Sequence, residues 1–248
     1  MSELGGSTVA LSGESDEPAE LGGKGAALDR LVGWGIRVPP TGVVTAHAYR
    51  AIATTPGPAA LVARLTGDTD SCDEYGEADV DRVFAATRPP PALRDDIVAL
   101  GREIGAGRRV AVRSSATVED LARSSFAGLY RSVLDVDPDD PDALVSAVLS
   151  VFASLWHPQA RAYRRALGID ERDIAMAAVV MQMVPATRAG VTFTVDPGEP
   201  SGRARVEAVD GLGESLVSGE RTPEAWLLDP ADVDPRTPVS YTHLRAHE

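Results

Sequence analysis

VAVRSSATVEDLARSSFAGLY, residues 110–130, changes character at its fourth position, and the rest of the chain is read outward from that change. RVAV (109–112) predicts a short buried strand, which delivers Arg113 and then two serines to a loop. A guanidinium in that place offers a planar fork of donors suited to phosphate oxygens. Pairing of Arg113 with Glu119 or Asp120 across the same loop is the plainer alternative. Further on, Ser124, Ser125 and the backbone of Gly128 are candidates for neutral donors lying over a polyphosphate.

Upstream, LGGKGAALDRL (21–31) sets two glycines directly before Lys24, and a helical pattern follows over 24–33. Freed backbone N–H groups, a helix N-terminus and one mobile cation together resemble a phosphate grip. The spacing is not that of a P-loop. A glycine turn carrying a surface lysine would read the same way. Lys24 stands out for a second reason: of the 24 basic residues, 23 are Arg and this is the one Lys. The bias towards Arg itself has a plain reading, a GC-rich genome; against that background the one retained ammonium points to a position where a compact charge suits better than a wide guanidinium.

Downstream, AAVVMQMVPATRAGVTFTVDP (177–197) reads as strand, polar break, strand. The break is a candidate hinge where main-chain atoms of Gln182 and Val184 meet an adenine edge, with Met181 or Met183 as an apolar wall. Methionines at strand spacing equally suit a plain core. In VEAVDGLGESLVSGERTPEAW (206–226), Glu207 ends a strand beside a glycine turn, a place where a carboxylate can hold Mg²⁺; a solvated acid is the alternative.

The remaining pattern predicts helices over 46–54, 58–66, 77–86, 91–104, 142–156 and 158–167. Strands are expected within 38–45 and over 131–136, 174–184, 189–195, 203–209 and 224–229. Helices dominate early and strands late, which implies an α+β fold in two lobes with a cleft, the first over 1–183 and the second beginning over 184–238. The composition, 44% hydrophobic and 25% charged, is ordinary for a chain with a packed core. A net charge of −13 argues against nucleic acid as a partner, because a duplex needs a basic face. No run approaches the ~20 uninterrupted apolar residues of a membrane helix. The N-terminus lacks the pattern of a signal peptide. Cys72 is the one cysteine, so neither an internal disulfide nor a Cys-based zinc site is expected, and the cytoplasm is the expected compartment. Residues 239–248, VSYTHLRAHE, read as ten codons of a transposase adapter used in sequencing libraries. They are set aside as a translated artefact, and the natural chain is expected to continue past Pro238.

Taken together, GGKGAALDRL, VPPTGVVT, VAVRSSATVEDLARSSFAG, the run from YRRALGID to MVP, AGVTFTVDP and GLGESLVSGERTP resemble the N-terminal domain of phosphoenolpyruvate synthases, pyruvate phosphate dikinases and rifampin phosphotransferases. The resemblance covers nearly all of residues 19–229. It implies an ATP-grasp-like domain that uses ATP to phosphorylate a histidine on a separate swivelling domain, which then serves an acceptor-binding domain and its substrate, pyruvate or another small molecule. By the same resemblance Lys24 and Arg113 contact the ATP phosphates, Gln182–Val184 form the adenine hinge, and 124–128 cover the phosphates. The family's acid-bearing DIEW-like strand and closing LQxRP motif, which supply metal carboxylates and a Gln/Arg pair, do not occur here. Nor does its phosphoacceptor motif: His47 and His157 lie in helical stretches, and His243 and His247 in the set-aside tail. The expectation is an ATP- and Mg²⁺-dependent phosphotransferase fragment, C-terminally incomplete and inactive alone. A non-catalytic or regulatory nucleotide-binding module and a carboxylate-activating ligase are the alternatives.

Overall fold

A computed structural model describes residues 6–15, 17–67, 75–117, 128–172, 174–196 and 202–229. The chain divides into two compact units at Met183/Val184. In the first unit the elements run β1 (Thr8–Ala10), α1 (Pro18–Gly33), β2 (Thr41–Val44), α2 (Ala46–Ala53), α3 (Pro56–Thr66), α4 (Glu77–Ala85), α5 (Pro91–Gly105), β3 (Val110–Ala116), β4 (Ser132–Val136), α6 (Pro141–Ser154), α7 (Pro158–Ala166) and β5 (Met176–Gln182). The second unit contains β6 (Arg188–Phe193), β7 (Ala204–Asp210), α8 (Glu214–Val217) and β8 (Glu224–Leu228).

Proline sets most of the helix starts. Pro18, Pro56, Pro91, Pro141 and Pro158 each open a helix, where the missing N–H has no helical partner to lose. Two starts are also capped by side chains. Asp140 accepts from the N–H groups of Asp142 and Ala143 at 3.0 and 3.1 Å, and the Thr45 hydroxyl accepts from Ala48 N–H at 3.4 Å.

In the first unit five strands form one sheet in the order β1-β2-β5-β3-β4, with every neighbouring pair antiparallel. β5 and β3 lie inside the sheet and pair over their whole lengths, from Val110↔Gln182 to Ala116↔Met176. Alternation along the strands then sorts the residues by face. Val44, Val110, Val112, Ala116, Met176, Ala178 and Val180 enter the main core with apolar residues of α2 to α7. On the other face Val43, Ala177 and Val179 pack against Leu21 and Ala26 of α1. The sheet is thus a layer between one helix and several.

Most predicted elements appear within one or two residues of their expected bounds, and three differences bear on function. β3 continues through Arg113, Ser114, Ser115 and Ala116, so the serines belong to the strand and not to a loop. Pairing with β5 across the whole segment fixes them there. α1 begins at Pro18, ahead of the expected start, and carries the glycine pair inside it. β1 and α8 were not foreseen; each is too short, at three and four residues, for a periodic pattern to emerge. The stretch 141–166 passes for a membrane span on length and composition, but 72% of its most apolar window is buried inside the fold, as befits core helices.

One polar contact ties this core together. Buried Trp156 donates its indole N–H to the Tyr49 hydroxyl at 2.8 Å, and Tyr49 meets Phe152 edge-on at 5.4 Å. Burial pushes the Tyr49 phenol well above its ordinary range, so it stays neutral as an acceptor. Tyr49→Phe strands the buried indole N–H and should cost about 1–3 kcal/mol in urea unfolding; a change under about 0.5 kcal/mol would show that water or another group satisfies Trp156.

Candidate functional site

The GGKG segment and the RSSA segment meet although about 90 residues separate them. At Gly22 the backbone turns to φ 67, ψ 173, interrupting α1 before it continues as a regular helix. That conformation is open essentially to glycine alone. Space gives a second reason: a Cβ on Gly22 would lie 2.0 Å from the Ser115 carbonyl oxygen and 2.4 Å from its hydroxyl. The Ser115 hydroxyl donates to the Leu21 carbonyl at 2.8 Å and accepts from Gly25 N–H at 3.0 Å. Lys24 lies within the turn that these two bonds bracket.

Arg113 lies two residues before Ser115 on the same strand, which puts the two on one sheet face about 7 Å apart. That is the face covered by α1, since Arg113 pairs with Val179 and Ser115 with Ala177, both of which belong to that side. In β3, where the other six positions are buried, Arg113 alone is exposed. A central strand therefore fixes its backbone while the guanidinium reaches solvent. Among the described residues no carboxylate pairs with Arg113. Glu119 and Asp120, the alternative partners, lie outside the described residues, as do Ser124 and Ser125. Lys24 is half-buried on α1, the helix that covers this face, and Arg113 is exposed.

A further anchor holds the segment leading into α1. The carboxylate of Asp29, 1% exposed, accepts from the N–H groups of Ser12, Gly13 and Ser15 at 3.1, 2.8 and 2.7 Å. Sequence reasoning missed both this contact and Ser115. Asp29 lies seven residues after the Gly22 kink, two helical turns on, on the buried side of α1; an acid at that spacing was the available signal.

The other indicated residues each have their own surroundings. Gly128 is exposed with φ 76, and a side chain there would meet open space. Gln182 ends β5; its backbone N–H donates to the Pro40 carbonyl at 2.9 Å, and its side-chain amide donates to the Ile104 and Gly105 carbonyls at the end of α5 at 3.3 and 2.9 Å. Met183 N–H donates to the Arg109 carbonyl at 2.9 Å, and Val184 is exposed. In the second unit Glu207 is held by Arg205, whose Nε and Nη2 both lie 2.7 Å from Oε1. A cation at Glu207 would have to share the carboxylate with that guanidinium. Glu77, Asp81 and His157 form the described group with metal-ligand geometry, but Arg131 already bridges both acids at 2.6 and 2.9 Å. Neither set, as arranged, fits Mg²⁺.

Over residues 18–240 the sequence matches the family described as pyruvate phosphate dikinase, AMP/ATP-binding domain. The chain belongs to that family. A phosphoenolpyruvate synthase of Aeropyrum pernix is 38% identical over 226 residues, 86% of this chain and 27% of the relative. A rifampicin phosphotransferase of Streptomyces sviceus is 38% identical over 232 residues, 90% of this chain and 26% of the relative. A prodigiosin-synthesizing transferase of Serratia marcescens is 39% identical over 230 residues, 90% of this chain and 24% of the relative. The chain therefore spans about a quarter of the length of these relatives.

Two glycine substitutions separate the causes acting at the kink. Gly22→Ala meets both strain and backbone collision and should cost about 3 kcal/mol or more in chemical denaturation. Gly35→Ala, with φ 72 but open space around it, should cost about 1 kcal/mol. Equal costs at the two positions would mean that the Ser115 approach does not constrain α1.

Proposed function

We propose that this chain is the nucleotide-binding part of an ATP-dependent phosphotransferase, with Lys24 and Arg113 holding the phosphates. The observation that carries the proposal is where the two residues stand: Lys24 in an opened turn of the helix that covers one sheet face, and Arg113 on an interior strand with its place on that same face. In this reading the two units are lobes of an ATP-grasp-like domain. Its product is a phosphohistidine on another domain, from which phosphate passes to an acceptor such as pyruvate.

Phosphoryl transfer asks little covalent chemistry of the protein; it asks for position and compensating charge. Arg113 offers a planar fork to two oxygens, on a backbone fixed by pairing on both sides. Lys24 supplies a compact charge on a flexible stem, able to follow an oxygen as charge moves from the transferred phosphoryl group to the leaving group. The glycines beside it leave backbone N–H groups close to where an anion would lie. Mg²⁺ would accompany the triphosphate and neutralise part of its charge. Gln182, Met183 and Val184 would take the adenine. The net charge of −13 opposes any anion at long range, so short-range contacts have to supply the affinity.

Calorimetric titration with ATP and Mg²⁺ tests the reading. Lys24→Ala and Arg113→Ala should each weaken binding at least about tenfold, the worth of one charge-assisted contact. Their melting temperatures should stay near that of the unmodified chain, because neither side chain is core. Unchanged affinity in both variants would remove the phosphates from this face.

A further inference from the structure

In an uninterrupted helix, Gly25 N–H would donate directly to the Leu21 carbonyl, four residues back. Here that bond is open, and one hydroxyl fills the gap: Ser115 donates to the Leu21 carbonyl at 2.8 Å and accepts from Gly25 N–H at 3.0 Å. A side chain inserted into the helical ladder is a recognised cause of a sharp kink. Here it comes from a central strand and is 0% exposed. Water cannot stand in for it without a cavity being made first.

The inserted hydroxyl brackets Gly22, Gly23 and Lys24. It fixes both ends of that turn, the carbonyl before it and the N–H after it, so the turn's direction is set by β3 and not by helical propagation. The same strand carries Arg113 two residues away. One rigid segment therefore places both cations: Arg113 directly, and Lys24 through a bridge of two hydrogen bonds.

We infer that Ser115 is a positioning residue for Lys24, holding its turn open so that the ammonium and the flanking N–H groups face the same anion as Arg113. This rests on the phosphate-binding reading above, and it adds a residue whose hydroxyl touches no ligand. Ser114, its neighbour, lies on the opposite face of the strand and takes no part; its own N–H donates to the Arg131 carbonyl at 3.3 Å.

A double-mutant cycle separates positioning from bulk stability. ATP and Mg²⁺ are titrated calorimetrically into the unmodified chain, Ser115→Cys, Lys24→Ala and the double variant. Cysteine keeps a donor and an acceptor at the position but bonds weakly, whereas Ser115→Ala leaves the Leu21 carbonyl and the Gly25 N–H with neither. Ser115→Cys should weaken ATP about fivefold to tenfold, the worth of a neutral hydrogen bond in a buried place. In the Lys24→Ala background the same substitution should change affinity by less than about twofold, within the error of such cycles. Full additivity would mean that Ser115 acts on ATP without Lys24, and would overturn the inference. ATP binding that Lys24→Ala weakens and Ser115→Cys leaves unchanged would overturn it alone. Failure of the unmodified chain to bind ATP would overturn both this inference and the proposed function.

Discussion

A single hydroxyl in place of a single helical hydrogen bond governs how α1 meets the sheet. Ser115 can bridge Leu21 and Gly25 only if nothing lies between strand and helix, so position 22 has to lack a Cβ. The approach also depends on β3 being held on both sides, by β5 over its whole length and by β4. The kink, the closeness of the two layers and the setting of Lys24 follow from that one contact. The small cluster of Leu21, Ala26, Val43, Ala177 and Val179 closes the rest of the interface by apolar burial.

The charges are arranged to match. Around the main core, cations are spent on structure: Arg131 bridges Glu77 and Asp81 beside His157, and fully buried Arg164 lies near Glu171 with its guanidinium 5.9 Å from the Trp156 ring. Such pairs, once buried, are costly to break. On the α1 face, by contrast, Arg113 reaches solvent from a buried strand. The three relatives carry different names yet are alike in similarity to this chain, at 38–39% identity.

Much of the fold could be read from the sequence because its punctuation is strong. Five prolines mark helix starts, and the apolar run of α6 and the alternation in β6 to β8 are unambiguous. The glycine–lysine and arginine–serine motifs were legible as motifs, but their meeting was not. No periodicity says which face of a strand a helix will cover, so the sequence places Ser115 only as a loop residue after Arg113. Its role needed the observation that Gly22 and Gly25 both touch it. Asp29 is visible as an acid two turns after Gly22, but its partners are not: three backbone N–H donors leave no residue-type signature. The sequence offers Glu207 as a Mg²⁺ ligand or a solvated acid; its contact with Arg205, two residues away on the same strand face, appears only in the structure.

The most direct measurement is a crystal structure of the chain with a non-hydrolysable ATP analogue and Mg²⁺. The account predicts phosphate oxygens within hydrogen-bond distance of both Lys24 Nζ and the Arg113 guanidinium, with the Ser115 hydroxyl still between Leu21 and Gly25. Phosphates bound elsewhere, out of reach of both side chains, would contradict it.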